Sequence, residues 1–309
     1  MKLQLKVFAI KNKLFILILV TGFLVVPSIG FAQDDLLDDL TQEDSNAQAP
    51  IVNATFKTTR IINGHSIENT HHGVLDFRIN HRFGPVNGGV YNLFGIDQAS
   101  TRFGFEYGLT KNLTIGVGRS SYEKTYDGLI KYKFLRQRES GLNWLSAAVV
   151  STISVNTLRW ANPNRKNYFT SRLNYTYQLL LARKFSNSLS VQLTPTLVHR
   201  NLVSTFDEDN DVLAMGFGLR KKLTKRTSLN VEYFYAQKSS LLDRYKNSLS
   251  IGFDIETGGH VFQLHFTNSS PMIEKGFITE TTQSWADGEF MFGFNVSRVF
   301  TLKSPDFEE

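Results

Sequence analysis

Residues 102–120 read RFGFEYGLTKNLTIGVGRS, two runs of alternating character joined by a short polar turn. In the first run Phe103, Phe105, Tyr107 and Leu109 share one parity, and Arg102, Gly104, Glu106 and Gly108 share the other. In the second, Leu113, Ile115 and Val117 oppose Thr114, Gly116 and Gly118. Successive side chains of a strand point to opposite faces, so each run predicts a strand with one apolar face and one polar or small face. The intervening Thr110-Lys111-Asn112 is short enough to return the chain as an antiparallel hairpin.

Working outward, no helical period is sustained after residue 70, and the two-residue period recurs in segments of about ten residues. Leu249, Ile251, Phe253 and Ile255 oppose Ser250, Gly252, Asp254 and Glu256. Near the end, Phe290, Phe292, Phe294 and Val296 oppose Glu289, Gly293, Asn295 and Ser297. About twelve strands are predicted, near 72–83, 101–109, 112–121, 125–134, 142–155, 167–182, 187–199, 212–223, 226–238, 247–256, 259–268 and 287–302. The fifth, LNWLSAAVVSTISV, alternates least well.

The connections decide between architectures. TKN, LRQRESG, FSNS, LTKR and TGG are short; 84–100, 156–166, 200–211, 239–246 and 269–286 are longer, with 122–124 a tight exception. Alternating short and long turns on an even number of antiparallel strands predict an all-β fold, a transmembrane up-and-down β-barrel of about 12 strands over residues 71–302. In that reading the short turns face the periplasm. The competing fold is a secreted β-sandwich, whose apolar face turns inward and whose connections are uneven.

The ends agree with export. Lys2, Lys6, Lys11 and Lys13 precede the apolar run LFILILVTGFLVV, and Gly30-Phe31-Ala32 offers a cut after Ala32, so residues 1–32 read as a signal peptide rather than an uncleaved anchor. Residues 33–50 carry six acids and no base, the composition of an acidic, solvated leader. Removing the four signal lysines and six leader acids from the formal +6 leaves +8 on residues 51–309. With no stacking aromatics interleaved among its bases, that excess does not predict nucleic-acid binding. The chain has no cysteine, which excludes disulfides, cysteine-ligated zinc, c-type haem, a thiol nucleophile and a lipid-modified N-terminal cysteine. Residues 303–309 read as a periplasmic tail.

The stretches HHGVLDFRINHRFGPVNGG (71–89) and QASTRFGFEYGLTKNLTIGVGRSSYEKTYDGLIKYKFLRQ (98–137) resemble an uncharacterised outer-membrane β-barrel family, a domain of unknown function, of Bacteroidetes-type bacteria. The resemblance spans roughly residues 55–302. It implies the barrel and the outer membrane, and no activity that would carry functional residues over.

Candidate chemistry is sparse. Four of the seven histidines fall in 64–84. His65, His71 and His72, with Glu68, are the weak candidates for a metal site; exposed polar residues at a strand entry are the simpler expectation, and no metal or cofactor is predicted. His72 and His81 are about 30 Å apart along a strand and cannot share an ion. A surface hydrolase would bring Ser204 or an acid to His199 beside Asn201, or Ser269 to His265 beside Asn268. A rim protease would use paired acids such as those of DEDND, 207–211. Neither pattern is a signature, and no enzyme is predicted.

The lumen parity carries charges of both signs: Arg78, Arg82, Arg102, Lys131, Lys133, Arg172, Arg220, Lys222 and Lys238 against Asp76, Glu106, Asp127, Glu232, Asp254 and Glu256. A water-filled lumen with this excess of bases predicts a narrow pore or transporter for small polar or anionic solutes. Charges interlocked across the interior would instead make a closed scaffold, with 156–166, 200–211 and 269–286 as contact loops. Residues 51–70 read equally as a plug, through Phe56, Ile61, Ile62 and Ile67, or as a periplasmic tether. Lys111, Arg136, Arg138, Arg183, Lys184, Lys225 and Arg226 at the short turns predict contact with anionic head groups of outer-membrane lipid.

Overall fold

Twelve antiparallel strands pair each with its sequence neighbours, and the first closes on the last, in a computed structural model that describes residues 49–237, 244–258 and 260–303. The stretches expected to be a signal peptide (1–32), an acidic leader (as far as residue 48) and a tail (from 304), and the expected lumen residue Lys238, lie outside the described residues. The strands are β1 (Val74–Pro85), β2 (Ala99–Gly108), β3 (Leu113–Ser120), β4 (Tyr126–Leu135), β5 (Ser146–Val155) and β6 (Leu173–Lys184). They continue as β7 (Leu189–Arg200), β8 (Asp211–Lys222), β9 (Thr227–Ala236), β10 (Ser248–Thr257), β11 (His260–Thr267) and β12 (Met291–Thr301). Pairing of Val74 with Thr301 through Arg82 with Gly293 completes the cylinder.

Closure follows from the period-two pattern. With the apolar parity turned outward, Phe105 faces Val117 across β2–β3, and Ile79 lies between Phe103 and Val296. Phe105, Val117, Ile130 and Leu264 are exposed on the outer wall, while Thr114, Ser120, Gln192 and Thr267 of the inner parity are fully buried. A sandwich would bury the former set. No helix among the described residues is long and apolar enough to cross a membrane, and the strands supply the wall.

Three local departures from ideal alternation have physical causes. β5 alternates poorly because it is apolar on both sides: Val149 and Ile153 face out, whereas Ala148 and Val150 pack inside against Phe56, Ile61 and Ile67. β6 begins at Leu173 rather than near 167, because Phe169–Arg172 winds into a 3-10 turn. In β7, Pro195 has no N–H to give β6, and the β6–β7 ladder has pairs at Gln178–Thr196 and Leu181–Leu193 with none between.

The long loop between β11 and β12 does not extend away from the barrel. It carries the short helix α1 (Glu274–Thr279), all six residues of which are buried. Phe277 and Ile278 pack against Val198, Val212, Ala214, Phe234 and Ala236 on the inner faces of β7–β9.

The outward parity gives a direct test. Replacing Ile130, exposed in mid-β4, by Arg places a charge against hydrocarbon and is expected to lower stability by about 2–4 kcal/mol. Urea titration of the barrel refolded in lipid vesicles, followed by its heat-modifiable gel mobility, measures this.

Candidate functional site: a lumen closed from both ends

Residues 55–67, all but the half-buried Lys57 fully covered, lie inside the barrel as a small hairpin that enters from the short-turn end. Its entry is held at the turn between β4 and β5, where Val52 N–H donates to Gln137 O at 2.9 Å and Arg138 donates to Ala49 O at 2.6 Å. Lys184 donates to Asn53 O at 3.0 Å. The hairpin closes on itself through Ser66 N–H to Thr59 O (3.0 Å) and Ile61 N–H to Gly64 O (2.8 Å).

The tip, Ile61-Ile62-Asn63-Gly64, is gripped by wall side chains. The backbone N–H groups of Ile62, Asn63 and Gly64 converge on the Glu232 carboxylate at 3.1, 3.1 and 2.9 Å. Three oriented donors around one buried carboxylate form a charge-assisted nest. Only glycine fits at 64, since a Cβ there would stand 2.9 Å from the Phe234 ring. Asn63 Oδ1 accepts from Arg82 at 2.7 Å, while Asn295 and Gln263 donate to the carbonyls of Ile62 and Ile61 at 3.0 and 2.9 Å.

The hairpin meets α1 in mid-lumen. Arg60 Nη1 lies 2.5 Å from Glu274 Oε1, with Glu106 of β2 3.4 Å from its Nε, and His65 Nε2 lies 3.2 Å from the same Glu274 oxygen. Outward from this latch, Lys275 reaches Glu123 (2.7 Å) and Glu280 (3.0 Å). Tyr122 donates to Glu280 at 3.0 Å, and Arg200 holds Glu208 at 3.2 Å. The long-loop mouth is therefore clasped by ion pairs among several connections.

The inward charges predicted from parity are mostly engaged in this closure. Arg102 forks onto Asp127, and Arg78 bridges Asp76 and Thr59, both at 3.0 Å. Lys131 donates to Glu68 O and Lys133 lies 3.6 Å from the Glu68 carboxylate. Arg220 faces the carbonyls of Ala54 and Thr55 at 3.4 Å, Asp254 accepts from Gln263 at 2.9 Å, and Glu256 pairs with Lys57 at 2.5 Å. Arg172 is a correction. It stands at the long-loop mouth with its guanidinium 3.8 Å over Trp160 and donates to Asn156 O, so it fastens the 156–172 connection instead of facing the lumen. Lys222 is exposed at the short-turn end.

A family model described as a membrane-bound beta barrel domain (DUF5777) matches residues 56–300, hairpin and wall together. The chain belongs to this family. Among solved structures, the fold is similar to that of the NanC porin, at 7% identity and TM-score 0.46 over 74% of this chain and 98% of that one. It is similar to the KdgM porin at 10% identity and TM-score 0.45, over 74% and 99% of the two chains. The COG4313 outer membrane channel from Pseudomonas putida F1 follows at 13% identity and TM-score 0.41, over 75% and 97%. A search of the curated proteins finds no match.

The histidines do not gather. His65 is buried in the hairpin, His71 is exposed, and His72 Nδ1 lies 2.8 Å from Leu109 O. Among the described residues no three acidic or imidazole groups are placed to hold a metal ion. His81 stacks outward on Phe294. His199 lies 2.7 Å from Asp211 and 2.8 Å from Asn201 Oδ1, so both ring nitrogens face oxygen acceptors and neither is offered to a hydroxyl nucleophile. His265 is buried between its strand partners Gly252 and Gly293, and Ser269 Oγ donates to Pro271 O. Parity reasoning missed Arg60, Asn63 and Glu274. The available signal was Met272, Ile273, Phe277 and Ile278, an apolar set at helical spacing inside an otherwise polar connection.

Protonation bears on the latch. Burial drives the His65 imidazole down to about 4, with Arg60 and Lys131 adding to burial against the pull of Glu274. Burial alone would lift the Glu274 carboxyl, but Arg60 and then His65 hold it well below the usual range. Both groups favour the seated hairpin in their unprotonated forms. Seating is then complete above the free imidazole value near 6.5 and weakens as pH falls toward 4, with Glu274 acting in the same direction at lower pH. Amide-exchange protection at residues 59–66 is expected to fall by roughly two orders of magnitude over that window, and His65→Gln to remove most of the dependence. Glu232→Ala leaves the nest donors unmatched. It is expected to cost about 3 kcal/mol of local stability, read as faster exchange at Ile62, Asn63 and Gly64 at neutral pH.

Proposed function

We propose that the mature chain begins after Ala32, resides in an outer membrane, and works as a gated solute pore that is closed at rest. The short turns then face the periplasm, the hairpin 55–67 enters from that side, and the 268–290 connection folds in from outside. One observation carries the reading: the seal consists of two segments that are not part of the wall. A small barrel can fill its own interior with wall side chains, whereas a larger one leaves space. Here the space is taken by a hairpin and a helix that meet through an ionic latch, Arg60 with Glu106 and Glu274, whose polar contacts water can replace as the two segments withdraw.

The wall beneath supports passage of water and polar groups, being rich in inward hydroxyl and amide side chains such as Thr114, Thr176, Gln178, Gln192, Ser250 and Asn295. At the short-turn end, Arg183 lies over Trp144 and Phe185, an arrangement suited to an interface with anionic phospholipid. The reading is non-catalytic, since the engaged nitrogens of His199 favour a structural role at the rim.

A closed scaffold is the second reading, favoured by the interlocked charges of Arg60, Glu106 and Glu274. Planar-bilayer recording separates the two. The full mature chain is expected to stay mostly shut. Arg60→Ala, which leaves Glu274 buried without its main partner, is expected to raise open time about tenfold or more. A folded Arg60→Ala barrel that remains silent would establish the scaffold.

A further inference from the structure

The lumen has two unlike sides. Facing side chains on β1–β4 carry most of the inward charge, whereas β5 contributes none and β6 only Lys184 at its short-turn end, and these two strands form an apolar patch of Ala148, Val150, Leu180 and Ala182. The two sides meet at one seam. Lys131 pairs directly with Val150 and Lys133 with Ala148 across β4–β5, and Ala148 pairs in turn with Leu180 of β6. Directly opposed residues on one face of a sheet hold their Cβ atoms about 5 Å apart, so two ammonium groups border the patch.

Lys131 is fully buried, and among the described residues no carboxylate lies within 4.0 Å of it. Its hydrogen-bond acceptor is the Glu68 carbonyl of the hairpin. A water-filled channel for ions has no use for an apolar strip beside such a cation, because wetting that strip is unfavourable.

The hairpin shows what the seam accepts. It sets the Glu68 carboxylate 3.6 Å from Lys133, and it lays Phe56, Ile61 and Ile67 on the apolar patch. Phe56 N–H donates to the Glu68 carboxylate at 3.2 Å, joining the two features in one unit. An anion and an apolar body side by side are the attributes of an anionic amphiphile.

We propose that the β4–β6 seam is a binding site for a single-chain anionic amphiphile, with the head at Lys131 and Lys133 and the body on Val150, Ala148 and Leu180. The hairpin, through Glu68 and Phe56, fills that site in the closed state and is displaced by the ligand. The inference rests on the gated-pore reading and names the class of solute that its inner wall selects.

The test uses the full mature chain in phosphatidylcholine nanodiscs with a diazirine-bearing dodecanoate, photolysed and mapped to residues. Carbene insertion at Val150, Ala148 or Leu180 is expected, competed by dodecanoate but not by acetate or dodecanol. Lys131→Gln with Lys133→Gln is expected to reduce insertion at these inner residues about tenfold, as for loss of a charge-assisted head-group contact, and Glu68→Gln to increase it. Insertion confined to the outward Val149, Leu179 and Leu181, or inner labelling indifferent to the lysines, overturns the proposal. Arg60→Ala in planar bilayers keeps the two readings apart. Conduction without inner labelling removes the amphiphile and leaves the pore; inner labelling without conduction removes the pore and leaves the site.

Discussion

Hydrocarbon offers no partner to a backbone N–H or C=O, and everything else in this structure follows from that. A sheet of twelve strands in such a solvent cannot keep a free edge, so β1 must find β12. Closing the cylinder removes the edge and creates an interior. The outer wall then needs only apolar side chains, which Phe, Tyr, Ile, Leu and Val supply on one parity. The inner wall is released from that demand and collects hydroxyls, amides and charges.

That interior is where the energetic conflict lies. Buried charges are costly unless paired, and the wall alone pairs only some of them, such as Arg102 with Asp127. Others find their partners on the inserts: Arg82 and Arg220 donate to Asn63 and to the Ala54 and Thr55 carbonyls, and Glu232 accepts from the hairpin tip. The inserts in turn match the wall, with polar contacts to β1, β2, β8, β9 and β12 and apolar contacts to β5–β9. The closed state is thus specified by complementarity of both kinds, and no single contact holds it.

Much of the wall was legible in the sequence because a period of two survives wherever lipid lies on one side and polar groups on the other. Residues 102–120 show this plainly, and β10 and β12 nearly as well. Legibility failed where that contrast is lost. β5 is apolar on both sides because the hairpin covers Ala148 and Val150, and Arg172 keeps strand parity while its backbone winds into a turn. The latch was out of reach for another reason. Arg60 and Glu274 are separated by 214 residues, and no local spacing links a polar pre-strand segment to a distant connection. Phe56, Ile61, Ile62 and Ile67 stood out as the apolar residues of 51–70, but the wall they pack against could not be read from them.

The gap at Pro195 has a mechanical meaning. The β6–β7 boundary lies six strands from the β12–β1 closure in either direction around the ring. The closing ladder has its own irregularity, a register shift between Arg82 and Pro85. A third break, the register shift between Lys133 and Leu135 on β4–β5, leaves nine of the twelve ladders uninterrupted. A closed cylinder bends most readily where its hydrogen-bond ladder is broken, so a change of cross-section falls first on these three seams.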